Sequence, residues 1–110
     1  MDLDGIGKVF DLAGQAWQEA GRTAPRLTTS FWFAVGEEPR AQVLRHVQHY
    51  MNWIPREFVD AFAATAGFAG SVSELTDVLR HIEDLGADEV QLIPTSSDLT
   101  QVEQVAAALG

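Results

Sequence analysis

The chain has 110 residues, 46% of them hydrophobic and none of them cysteine, which suits one domain with its own core but falls well short of the roughly 250 residues of a closed (β/α)8 barrel. Sixteen acids against seven Lys and Arg give a formal charge of −9, a field that repels nucleic acid and anionic membrane surfaces, and no apolar run reaches the about 20 residues needed to span a bilayer. The lack of cysteine removes disulfides, thiolate metal ligands and cysteine nucleophiles from consideration.

The first five residues, Met1 to Gly5, carry acids instead of the basic and apolar blocks of an export signal, so the cytoplasm is the expected compartment. From Ile6 to Ala20 the apolar residues Ile6, Val9, Phe10, Ala13, Ala16, Trp17 and Ala20 step by three and four. That spacing predicts an amphipathic helix, capped by Asp4 and ended by Gly21. Leu27 to Val35 follows, with Leu27, Phe31, Phe33 and Val35 on one face and Trp32 and Ala34 on the other. A strand bulky on both faces belongs to a parallel sheet covered by helices.

Gly36-Glu37-Glu38-Pro39 supplies a turn, acids and an N1 proline for a helix running to about Trp53, with Val43, Leu44, Val47, Tyr50, Met51 and Ile54 as its buried stripe. Pro55 forces a break, and Phe58, Val59, Phe62, Ala63 and Ala66 mark another helix that Gly67 ends. Phe68-Ala69-Gly70 stands where a short strand is expected. Ser71-Val72-Ser73-Glu74 then fits a capping box, and Leu75, Val78, Leu79, Ile82 and Leu85 form the apolar stripe of the helix it starts. Gly86 ends that helix, Val90 to Ile93 reads as a strand closed by Pro94, and Thr95 to Asp98 caps a last helix bearing Leu99, Val102, Val105, Ala106 and Leu109. Strands alternating with helices predict an α/β fold of two or three parallel strands with helical crossovers.

The run Ala16 to Val35, then Tyr50, then Ala64 to Pro94 and the closing Asp98 to Leu109 resemble the C-terminal portion of luciferase-like flavin-dependent monooxygenases. The resemblance is carried by an AGR…P helix-to-strand junction at Ala20 to Pro25 and a G-S-x-x-E-L…LGADEV-x-L-x-P unit at Gly70 to Pro94. It implies a partial (β/α)8-barrel-like arrangement in which the three strands here are the sixth, seventh and eighth staves. It also implies an oxidoreductase using FMN or a deazaflavin, in which a missing N-terminal barrel portion supplies the other staves and much of the flavin pocket. No catalytic residue of that family falls on a position here. Open sheet edges imply self-association, with a homodimer pairing through Leu27–Val35 or Val90–Ile93 as the expected assembly. The other expectation is a non-enzymatic oligomerising α/β module that has lost the pocket.

Ligands of parallel α/β folds sit at the carboxyl ends of the strands, which points to Gly36-Glu37-Glu38, Gly70-Ser71 and Thr95-Ser96-Ser97. Gly70, Ser71 and Ser73 at a helix N-terminus form the best anion grip, although the serines also serve as caps. Trp32, flanked by Phe31 and Phe33, is the candidate to line a flavin pocket, with core packing as the plainer reading. His46 and His49 are three apart on a helix but lack an H-E-x-x-H pattern, so a solvated face accounts for them and no metal site is expected. An i,i+4 pairing with Asp77 accounts for His81.

Overall fold

The strand with bulk on both faces becomes the centre of the sheet. In a computed structural model describing all 110 residues, the elements run α1 (Leu3–Glu19), β1 (Thr28–Ala34), α2 (Pro39–Tyr50), α3 (Arg56–Ala63), β2 (Phe68–Ala69), α4 (Val72–Asp84), β3 (Glu89–Pro94) and α5 (Leu99–Leu109). The sheet is parallel in the order β2-β1-β3. β3 pairs along β1 from Thr28↔Glu89 to Phe33↔Pro94, while β2 adds only Phe33↔Phe68 and Ala34↔Ala69. The α/β architecture expected from the alternating elements is therefore the one observed. Consecutive barrel staves would stand in the order β1-β2-β3; here β1 lies in the middle and helices cover both faces, as in an open, doubly wound sheet.

The two faces of β1 are buried by different helices. Ala34 packs with Val43 and Val47 of α2 and Val59, Ala63 and Ala66 in and after α3, with Trp32 at the margin of this cluster. Phe33 packs with Phe68, Leu75 of α4 and Val105 of α5. A crossover that steps one way from β1 and a second that steps back over it put their helices on opposite faces when both are right-handed. α1 lies along α4, where Gly7 meets Leu85.

Burial is sparse. Only 12 of 110 residues are buried, and the slab measures 46 × 38 × 19 Å with a radius of gyration of 15.8 Å, against about 13 Å for a compact domain of this length. The apolar stripes of α1 and α5 are fully covered at one residue each, Phe10 and Val105, because a sheet whose β2 strand is two residues long has too little area to cover them. No helix is long and apolar enough to cross a membrane.

Local chemistry sets the element ends. α1 starts earlier than its stripe suggests because Asp2, not Asp4, caps it, accepting from the Gly5 amide at 2.9 Å. α2 ends at Tyr50, three residues short of Trp53. Its N-cap, Glu38, sits in the left-handed region at φ 46° without a side-chain cap bond, a conformation that costs a non-glycine residue roughly 1–2 kcal/mol. On α4, Asp77 pairs with Arg80 at 3.5 Å rather than with His81.

Candidate functional site: an aromatic groove beside a polar recess

β3 covers the outer edge of β1, but α2 and α3 reach over only the inner part of their face. Trp32 and its register partner Ile93 therefore floor an open groove of about 430 Å³, walled by Tyr50, Phe62 and the Ala66-Gly67 turn. The Trp32 ring is half-buried and meets three aromatic rings edge-on: His46 at 5.1 Å, Tyr50 at 5.5 Å and Phe62 at 6.4 Å between centroids. Such T-shaped contacts fix the indole plane. Tyr50 is 64% exposed and Phe62 48%, so the buried stripes expected for α2 and α3 each lose an aromatic residue to this groove. The sequence singled out Trp32 but not these partners, which face it only because Pro55 turns α3 back along α2.

At the carboxyl ends of the strands, β1 and β3 are neighbours whose following helices, α2 and α5, lie on opposite faces. That switch point is where open α/β sheets open a crevice, and here the chain fills it with its own amides. Gln42 Nε2 donates to Gln101 Oε1 at 3.1 Å and Gln101 Nε2 returns a bond to Gln42 Oε1 at 2.8 Å, while Gln101 Oε1 also accepts from the Val35 amide. The Thr95 hydroxyl accepts from Gln42 Nε2 and donates to the Phe33 carbonyl, both at 2.8 Å.

On the α2 side of this plug lies a recess of about 380 Å³ with no apolar residue in its lining: Gln42, Arg45, His46 and His49 face the loop Thr95–Ser97. Positions 42, 45, 46 and 49 share one helical face by their spacing. His46 separates recess from groove; its Nε2 is buried without a hydrogen-bond partner, and burial, with His49 second, lowers its pKa from the ordinary value. His49 is exposed, as a solvated helix face expects, whereas His46 is partly buried against Trp32; both line the recess opposite the hydroxyl-bearing loop. The missed signal is local charge. No acid occurs from Pro39 to Arg56, a stretch holding three of the seven Lys and Arg and two of the three histidines of an acidic chain.

The other anticipated residues lie elsewhere. Gly70, Ser71 and Ser73 do not line the Trp32 groove. Ser71 is engaged in a complete capping box: its hydroxyl accepts from the Glu74 amide and its amide donates to Glu74 Oε1, each at 3.1 Å. These bonds hold the Glu74 carboxyl below its ordinary pKa, so a carboxylate already occupies the position an anion would take. Ser71→Ala is expected to lower stability by about 1 kcal/mol, the usual value of a serine cap, with the same loss in urea melts run with and without phosphate. A phosphate-dependent stabilisation present in the parent and absent in the variant would restore the anion reading.

No three His, Asp or Glu side chains converge as a metal site would require. The fold is an open parallel α/β domain that carries an aromatic groove and, across His46 from it, a separate polar recess holding Arg45. Comparisons with protein-family models, with curated proteins and with solved structures find no match.

Proposed function

We propose that this chain binds a flat aromatic cofactor of the flavin or deazaflavin class in the Trp32 groove and belongs functionally with flavin-dependent oxidoreductases. The carrying observation is the groove itself: an indole locked by three neighbouring rings, beside an open apolar wall, in a volume within the roughly 300–1,000 Å³ of small-molecule sites. The resemblance of Ala20–Pro25 and Gly70–Pro94 to luciferase-like monooxygenases supports the same cofactor class. The chain contributes a stacking surface and excludes water from one face of the ring.

A second reading, a homo-oligomerising module without cofactor, is favoured by the sparse core and by the outer edge of β3, Glu89–Pro94, which has no strand beside it. Sedimentation velocity with FMN or a deazaflavin, followed at the flavin absorbance, separates the two. The first reading expects flavin to travel with the protein, and Trp32→Ala to weaken binding at least about tenfold, or 1.4 kcal/mol, the scale of one aromatic stack. Flavin that stays behind at tens of micromolar overturns it. The second expects a dimer without cofactor, and a stable monomer at micromolar concentration overturns that.

A further inference from the structure

We infer that the recess between α2 and the loop after β3 is an oxyanion site that takes the phosphate of a phosphorylated aromatic ligand whose ring lies in the adjoining groove. The inference rests on the ring-binding reading above and extends it to the ligand's charged end. Groove and recess are neighbours divided by His46, whose ring is 5.1 Å from Trp32 on one side and lines the recess on the other. Ile93 and Thr95, two residues apart on one strand end, belong to groove and recess respectively.

The donors suit an oxyanion. Arg45 pairs with no carboxylate, whereas Arg26, Arg56 and Arg80 all do. Arg45 and His49 are exposed, so both can turn onto a ligand. The Thr95 hydroxyl is held by Gln42 and the Phe33 carbonyl, which anchors the start of the loop, and Ser96 and Ser97 after it line the recess. None of the sixteen acids of the chain lines the recess. Guanidinium, imidazole and hydroxyl donors around a carboxylate-free depression are the chemistry of phosphate recognition, and Glu74 denies that chemistry to the Gly70-Ser71 helix start.

FMN and riboflavin differ only in the phosphate, so they are the probes. FMN is expected to bind at least about tenfold tighter than riboflavin, as a charge-assisted guanidinium contact provides. Arg45→Gln with His49→Gln, both outside the core, should bring FMN to the riboflavin value and leave riboflavin unchanged. Arg56→Gln, equal in charge loss but on α3, should leave the preference intact. Millimolar inorganic phosphate, against chloride at equal ionic strength, should shift the His49 ring resonances in the parent protein. Equal affinity for the two flavins together with an unmoved His49 overturns the recess while leaving the groove reading standing. An FMN preference that survives the double variant also overturns it, since the phosphate then binds elsewhere. Failure of both flavins removes the groove reading, and the recess is then decided by the inorganic phosphate shift alone.

Discussion

Gly67→Ala is expected to destabilise the fold by about 2–5 kcal/mol, combining a left-handed backbone penalty with overpacking of the adjoining strand. Gly67 has φ 64°, and a Cβ there would sit 2.5 Å from the Trp32 carbonyl oxygen and 3.1 Å from its Cβ. Neither contact is with the free end of a side chain, so β1 itself must move. A domain of this length has roughly 5–15 kcal/mol to lose, and the displaced residue is the one that floors the groove. Urea denaturation of Gly67→Ala should therefore show a lower midpoint, and, if the proposed flavin binding holds, flavin affinity should fall with it. Gly14→Ala is the control: it lies inside α1 with open space around it, and the substitution should raise stability by roughly 0.5–1 kcal/mol. Equal midpoints for Gly67→Ala and its parent would mean that the turn does not approach β1 this closely.

Leu75→Ala should cost about 2–5 kcal/mol, the range for emptying a leucine site that cannot collapse. Leu75 is 1% exposed and joins Phe33, Phe68 and Val105, the contact that ties α4 and α5 to the sheet. With so few buried residues, no second layer takes over its role. Leu99→Ala, on α5 at 69% exposure, should stay within about 0.5 kcal/mol. Comparable losses at both positions in chemical denaturation would show that Leu99 is covered in solution.

The elements of this fold were legible because each carries its own local chemistry. The capping box at Ser71, the proline after Glu38 and the left-handed glycines at Gly21, Gly67 and Gly86 mark ends that the backbone respects within a few residues. The alternation of β1 also told correctly that two layers of helices would cover it. Strand order was not legible in the same way. Nothing in Val90–Ile93 says whether it pairs with β1 or β2, since both pairings would bury the same apolar side chains. The site shared that limit: Trp32 stood out by size, whereas Arg45, His46 and His49 line one recess only when β3 brings Thr95–Ser97 opposite them. The stripes of α1 and α5 misled in the opposite sense, because periodicity reports which face is apolar and not how much sheet exists to receive it.

The central place of β1 also bears on how the chain comes together in time. Its long ladder joins residues about as far apart as Leu27 and Asp88, 61 positions along the chain, while the nearer strand offers two paired residues. During synthesis, β1 with its Phe31-Trp32-Phe33 core must wait until β3 has emerged before most of its backbone finds a partner. Closing so long a loop is slow, and an unpaired aromatic strand is what holdase chaperones and aggregating neighbours bind. For this protein the vulnerable interval lasts until β3, Glu89–Pro94 of 110 residues, has been made.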